Sequence, residues 1–423
     1  METRWGTAVV LHIMNRILWL VGLYVEWVHR MLRPRAMVTP AWLHNPRVLW
    51  RSGYGPYATL RIPALCATRK TLVAFCEGRR RGPLDSGDID VLCRRSVDDG
   101  RTWDAPTIVC LGGGHTFGNP CAVTTPSGAI CLLVTHNDGR DSEALLMSGQ
   151  GWGRRQMFVC RSEDDGRTWS EPHVLDNVLR PEWRWCATGP GAGICVQQDP
   201  SARNRLIIPC NHRIDAATAR SHVIYSDDDG RTWLLGGASP AITQGVDGTT
   251  RRLRSNECQL IERVDGSIMM SVRSLDDRAG RWSCVSHDGG NTFEELKATP
   301  GIEDPGCHAA MIKPDAGQPF ACFANPACSN ARRRMTLRWS HDDGVSWTPG
   351  VEGIPHAGTP SHLGTQSVLL HAGPSAYASL CSLPGSPSHI GCLYEAGTYH
   401  PYECLVYQRV AYPITHKKNP RAE

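Results

Sequence analysis

Ser96-Val97-Asp98-Asp99-Gly100-Arg101-Thr102-Trp103 is the first of five copies of one phrase. The others run from Ser162 to Trp169, Ser226 to Trp233, Ser286 to Phe293 and Ser340 to Trp347, with starts 66, 64, 60 and 54 residues apart. Each reads Ser-x-Asp-x-Gly-x-Thr/Ser-Trp/Phe, and self-similarity at such a period marks a repeat architecture. Each copy predicts a hairpin turn. The carboxylates of Asp98, Asp164, Asp228, Asp288 and Asp342 can accept hydrogen bonds from backbone N–H groups of their own turns. The Gly two positions later supplies the positive φ of the turn. Thr or Ser with Trp or Phe is expected to open the next strand, the ring filling space between adjacent sheets. Five equivalent carboxylates at turn positions are scaffold, not catalytic acids.

The period divides Trp42 to Tyr412 into roughly six units of ~60 residues, each the length of a propeller blade with generous loops. A chain of 423 residues could hold two domains, but the repeats argue for one, over 37–423. Gly 42 and Pro 29 suit many short strands joined by turns. The formal net charge of +4 is small, and Arg and Asp interleave, which argues against a nucleic-acid footprint. The 18 Cys are scattered singly through apolar runs, with no Cys-x-x-Cys and no Cys/His ligand spacing, so neither zinc nor a disulfide framework is expected. They read as small buried hydrophobes, or as thiols of a reducing compartment.

Residues 1–36 differ from the rest. Thr7 to Val28 is apolar and Trp-rich but interrupted by His12, Asn15, Arg16 and Glu26. Its longest clean stretch, Ile17 to Val25, is too short for a bilayer, which needs about 20 apolar residues. No small-residue cleavage site follows, so a membrane-associated or intracellular protein is favoured over a cleaved secreted one. Two readings stay open: an interfacial anchor, helped by His29, Arg30, Arg33 and Arg35, or a bare extension ahead of Met37.

Outside the turns, polar groups interrupt strand-like segments: Arg61 in Tyr57-to-Pro63, Glu77 and Arg79 ending an apolar run, and Asp85, Asp88 and Asp90 ahead of the first box. Asn256-Glu257-Cys258-Gln259 precedes Arg273, Asn325-Pro326 leads to Arg332-Arg333-Arg334, and Tyr377 lies in Ala376-Tyr377-Ala378-Ser379-Leu380. Each alone has an ordinary structural explanation. In a propeller, residues of distant blades meet at one channel mouth.

The turn phrase resembles the Asp-box of sialidases, and the Arg-Ile-Pro, Asn-Glu-Cys-Gln, Asn-Pro…Arg and Tyr-x-Ser-Leu segments occur in the order of the exo-acting sialidase family. The resemblance covers about Trp42 to Tyr412 and departs from the family at Leu60, where an aromatic is usual. It implies an all-β, six-bladed propeller with a short N-terminal apolar extension. It implies an arginine triad of Arg61, Arg273 and Arg332, with Arg333 or Arg334 as alternatives for the third, and Arg79 as a further substrate-side cation. By the same resemblance Asp85 is the general acid/base, Tyr377 the nucleophile and Glu257 its base. Glu77 is expected to orient Arg79, Asp88 is the rival to Asp85, and stretches 115–119 and 183–185 could border the pocket.

That chemistry suits sialic acid, whose anomeric carbon bears a carboxylate that guanidiniums can clamp. An anionic nucleophile would be repelled there, whereas a phenol deprotonated as it attacks would not. No metal or organic cofactor is required. The implied partners are sialylated glycans (glycoproteins, oligosaccharides, gangliosides), with no nucleic acid and peripheral membrane contact only through residues 1–36. Two alternatives are a non-catalytic Asp-box propeller acting as an interaction module and a trans-sialidase.

Overall fold

The computed structural model describes residues 46–244, 250–276, 280–349 and 367–412, so the extension at 1–36 and the start at Met37 lie outside the described residues. From Thr59 the chain makes a series of antiparallel meanders. Thr59–Ala67, Leu72–Arg79, Ile89–Ser96 and Thr107–Cys110 pair in order, followed by Thr116–Thr124, Ile130–Asn137, Gln156–Ser162 and His173–Val174. Trp185–Thr188, Leu206–Arg213, Ala219–Ser226 and Leu234–Ala238 form the next, then Ser255–Glu262, Ile268–Ser274, Arg281–Ser286 and Lys297–Thr299. Ala310–Ile312, Ala321–Pro326 and Arg333–Ser340 lead into the long strand Val368–Ser382, which also pairs with His389–Ala396. Cys404–Ala411 follows, and the first described strand, Arg47–Arg51, lies against it with Val48 opposite Val406. The two ends of the described chain are thus sewn into one sheet.

The strands read as apolar runs because both sheet faces are covered. On Leu72–Arg79, Leu72, Ala74 and Cys76 pack with Leu49, Leu393 and Leu405, while Val73 and Phe75 pack with Ile130, Leu132 and Val134. Cys131 and Leu133, between the latter three, belong instead to a cluster with Leu206, Ile208 and Trp233. Successive side chains of a strand point to opposite faces, so each meander joins the core before it to the core after it. All 18 cysteines are free thiols, and 17 of them are buried. They serve as small apolar filler.

The box geometry repeats in all five copies. In the first, Ser96 Oγ donates to Asp98 Oδ1 at 2.8 Å and accepts from Gly100 N at 2.8 Å, while Thr102 N and Oγ1 donate to Asp98 at 2.8 and 2.7 Å. Gly100, Gly166, Gly230, Gly290 and Gly344 all have φ between 80° and 90°. One detail differs from expectation: the aromatic does not generally open a strand. Trp103, Trp169 and Phe293 stand four residues before Thr107, His173 and Lys297, and only Trp233 leads directly into one. The chain is still bending there because the ring is what matters. Trp103 lies edge-on to Tyr407 at 5.1 Å, and Trp347 packs with Ile261 and Met269 of the neighbouring meander.

The residue between Asp and Gly also has a task that the pattern conceals. Asp99, Asp165, Asp229 and Asp343 adopt φ of 56° to 63°, a left-handed conformation that Asp tolerates better than most residues. Three of these carboxylates reach across to a hairpin or loop of the adjacent meander. Asp99 accepts from Gly385 N and Ser386 Oγ, Asp229 from Ser127 N and Oγ, and Asp343 from Val264 N, with Lys313 Nζ of its own meander as a further donor. The box therefore folds its own turn and clasps its neighbour.

Burial alone would raise the Asp98 carboxyl, but the Thr102 amide and hydroxyl and the Ser96 hydroxyl outweigh it and bring it down to about 2. The folded value lies below the unfolded one of about 3.9. This stabilisation is therefore full above that value and fades as pH falls toward about 2. Asp98→Asn should lower Tm at pH 7 clearly more than at pH 2.5; an equal loss at both would remove the charge from the account.

Candidate active site

A cleft of ≈ 330 Å³ opens where residues of several meanders meet. Its wall gathers all seven side chains singled out from the sequence: Arg61, Arg79, Asp85, Glu257, Arg273, Arg332 and Tyr377. They come from strands or loops more than 300 residues apart at the extremes.

The device that aims them is the β-bulge. Register slips between Arg61 and Ala64, between Gly118 and Cys121, between Ser255 and Cys258, between Arg333 and Met335, and between Ser375 and Ala378. Arg61, Asn119, Glu257 and Tyr377 sit at or inside these slips, and Arg332 immediately precedes one. A bulge adds a residue, bends the strand and redirects a side chain, and bulges recur beside active sites. Ile62 carries the cost most visibly, with φ 58°, where a β-branched residue is an outlier. The strain is held by Glu395, whose Oε1 accepts from Ile62 N at 3.0 Å and from Arg61 Nε at 3.0 Å. Oε2 of the same carboxylate accepts from Tyr377 N at 3.1 Å. Glu395 is fully buried, so one acid fixes both the first arginine and the backbone of the tyrosine.

Tyr377 Oη donates to Glu257 Oε1 at 2.5 Å, and Arg273 Nη1 donates to Glu257 Oε2 at 2.7 Å. Arg273 Nη1 also lies 3.3 Å from Tyr377 Oη. Burial would raise the Glu257 carboxyl, but Arg273 foremost holds it below its usual value. Burial and Glu257 push the Tyr377 phenol well up against the pull of Arg273 and Arg332. At rest the pair is a carboxylate beside a protonated phenol, poised for one proton to cross.

Around them, Arg61 is paired with Glu395, Arg79 with Glu77 at 2.6 Å, and Arg273 with Glu257. Arg332 has no carboxylate within ion-pair distance among the described residues. Its Nη1 donates to Tyr402 Oη at 2.7 Å, and the same ring lies 3.7 Å below the Arg61 guanidinium. Cation–π contact orders Arg61 without cancelling its charge. The cleft thus keeps an uncompensated positive charge beside the phenol.

Asp85 stands on the loop between Arg79 and Ile89, which is pinned where Arg79 Nη1 bonds the Pro83 carbonyl and where Thr116 Oγ1 bonds Gly87 O at 2.8 Å. Its carboxylate is 71% exposed and meets Arg79 Nη2 at 2.7 Å and Arg61 Nη1 at 3.5 Å. Enclosure would raise it; Arg79 and then Arg61 outweigh that and hold it below the usual carboxylate range.

Other expectations sort by position. Glu77 holds Arg79 by two bonds and receives Asn119 N at 2.7 Å. Thr116, Gly118, Asn119 and Trp185 line the cleft, whereas Trp183 is stacked on His212 in the core. Asp88 faces Arg80 and Asp90 is buried against Tyr57 and Arg80, both away from the cleft. Arg333 turns to Cys328. The sequence reading missed Glu395, Tyr402 and Arg155. Glu395 had a signal, a lone acid inside the apolar run Ile390 to Ala396. Arg155, which bonds Asn119, Thr135 and Asn137 and stacks on Trp185 at 4.1 Å, sits in an ordinary Arg pair with Arg154, and Tyr402 follows a loop proline; neither stands out.

These features define a class. The profile of the BNR repeat-like domain matches residues 70–352, and the chain belongs to that family. The chain is 29% identical over 383 residues to a sialidase of Micromonospora viridifaciens, covering 84% of this chain and 53% of that one. With a sialidase of Bacteroides fragilis it shares 27% over 315 residues, covering 69% and 54% respectively. The chain spans about half the length of these curated relatives. Among solved structures, a Hadza microbial sialidase superposes with a TM-score of 0.70 at 24% identity, over 86% of this chain and 68% of that one.

Removing the Glu395 carboxylate leaves a buried Arg61 and two backbone amides without their acceptor. Glu395→Leu should cost about 3–5 kcal/mol in urea unfolding; a loss below about 1 kcal/mol, the worth of an exposed pair, would show that Glu395 is not the anchor.

Proposed function

We propose that this chain is an exo-α-sialidase that removes terminal α-linked sialic acid from glycoconjugates with retention of configuration. The boxed meanders and the sheet closed by Arg47–Arg51 are then the six blades of a propeller over residues 37–423, with 1–36 outside it as a possible membrane contact. The observation that carries the reading is the 2.5 Å Tyr377–Glu257 hydrogen bond inside a cleft of guanidiniums. A phenol has an unperturbed pKa near 10 and attacks at neutral pH only with a base at hand. Glu257 is that base. Arg61, Arg273 and Arg332 receive the sugar carboxylate, with Arg332 contributing the charge that no protein acid offsets. One such pair at 4 Å would contribute roughly 4 kcal/mol before desolvation is subtracted, so the clamp mainly orients.

The two half-reactions use the same atoms. Tyr377 Oη attacks the anomeric carbon as its proton passes to Glu257 Oε1, and Asp85 protonates the departing glycosidic oxygen. Asp85 then takes a proton from water, which attacks the anomeric carbon from the face the leaving group vacated. The Tyr377 oxygen departs and recovers its proton from Glu257. Two displacements restore the original configuration. The resting contacts of Asp85 suit its basic phase. When the substrate carboxylate takes Arg61, Asp85 loses a cation and its pKa rises, so that it takes up a proton from solvent at higher pH and holds it for the leaving oxygen.

A fluorogenic sialoside assay tests the reading. Tyr377→Phe should reduce kcat by several orders of magnitude; turnover equal to wild type would defeat the assignment. Lactose added as acceptor should give no sialyl-lactose, and its appearance would establish transfer instead of hydrolysis. Arg79→Gln, by removing the nearest cation from Asp85, should move the alkaline limb of the kcat/KM profile to higher pH. An unmoved limb would take the acid role away from Asp85.

A further inference from the structure

His308 has no task in the reaction above, yet it is 1% exposed and neither ring nitrogen makes a hydrogen bond of acceptable geometry. The nearby Pro190 carbonyl already accepts from Gln259 Nε2 at 2.6 Å. A buried polar ring with no better partner than a shared carbonyl costs stability that a hydrocarbon in the same place would not. The ring is placed against the nucleophile: its centroid lies 5.2 Å from that of Tyr377, with planes 30° apart.

The mount is stiff. Asp304 Oδ1 accepts from Gly306 N and Cys307 N at 2.8 and 2.9 Å, and Arg281 Nη1 donates to the Cys307 carbonyl at 2.9 Å. Asp304 and Arg281 are themselves a buried pair at 3.3 Å. Burial foremost, with Arg281 and Arg273 nearby, pushes the imidazole down to about 4 against the pull of Glu257 and of the Pro190 carbonyl. The ring is therefore neutral at pH 7 and does not compete with Arg273 for the Glu257 carboxylate.

Tyr377 is held at its backbone by Glu395 and at its hydroxyl by Glu257. Arg273 Nη1 lies 3.3 Å from the hydroxyl, the Arg61 and Arg332 guanidiniums lie 5.2 and 5.7 Å from the ring centroid, and Ile62 and Cys307 pack beside it, so the tilt of the phenol between its two anchors is set by what its ring rests on, His308 included. We propose that His308 is a positioning residue for the nucleophile: its ring sets the tilt of the Tyr377 phenol so that Oη stays on Glu257 Oε1. The inference rests on the sialidase reading for its kinetic consequence but not for its geometry. Displacement of a reacting atom by about 1 Å can cost up to 10²-fold in rate, so a modest change in tilt is enough to register.

The experiment compares His308→Ala, which removes the ring, with His308→Phe, which keeps a planar ring and removes the nitrogens. With a fluorogenic sialoside, His308→Ala should lose about tenfold or more in kcat with KM within about twofold. The rate of covalent trapping by a 2,3-difluorosialyl fluoride, which reports attack by the phenol, should fall in parallel. His308→Phe should recover to within about threefold of wild type. Wild-type kcat in His308→Ala, equal impairment in both variants, or a rise in KM matching the fall in kcat would each overturn the proposal. A crystal structure of His308→Ala separates this outcome from failure of the sialidase reading. Tyr377 Oη should leave Glu257 Oε1, and a contact unchanged at 2.5 Å would refute the role whatever the substrate is.

Discussion

A protonated phenol, Tyr377, donates to an ionised carboxylate, Glu257, at 2.5 Å, on strands whose positions are 120 residues apart. Everything else in the site keeps that contact short and charged the right way. Arg273 holds Glu257 ionised so that it can accept, and burial keeps the phenol protonated so that it has something to give. Arg332 has no carboxylate of its own among the described residues, and Arg155 bonds only neutral groups, so the cleft keeps positive charge beside the phenol. An acid buried beside such cations without the phenol would only be a salt bridge. The phenol without the acid would be inert at neutral pH.

The scaffold carries the cost of that arrangement in local strain. Four of the site residues stand at or within β-bulges, and Ile62 occupies a left-handed conformation that only a tight set of contacts can hold. Glu395 provides those contacts, and the rigidity behind it comes from cores that lie between meanders and not within them. The box clasps belong to the same logic. Asp99, Asp229 and Asp343 tie three of the meanders to the hairpin or loop of a neighbour, so a residue on one sheet is fixed relative to a residue on the next. A cleft built from many sheets demands this.

How much of this was legible in the amino-acid sequence follows from what each feature depends on. The meanders and their turns depend on local chemistry, and Ser-x-Asp-x-Gly writes that chemistry out five times. The seven residues of the cleft could be named because charged or phenolic groups interrupt apolar strands in an order shared with a known family. The bulges were not legible, since a register slip is a property of two strands and leaves no mark on one. Asp99 looked like a spacer because its partners, Gly385 and Ser386, are nearly 290 residues away. Tyr402 and His308 look ordinary in sequence, and only the ring packed beneath Arg61, or against Tyr377, gives them meaning. The ring of each box was expected between sheets, but only Trp233 opens a strand as expected; after Trp103, Trp169 and Phe293 the backbone continues to bend before the next strand begins.

A crystal structure of the full chain with a dehydrated sialic acid analogue tests the central claim most directly. The account predicts the sugar carboxylate within hydrogen-bond reach of the Arg61, Arg273 and Arg332 guanidiniums, the anomeric carbon above Tyr377 Oη, and Asp85 released from Arg61. An analogue bound with its carboxylate on other groups, or with Tyr377 turned away from the ring, would contradict it.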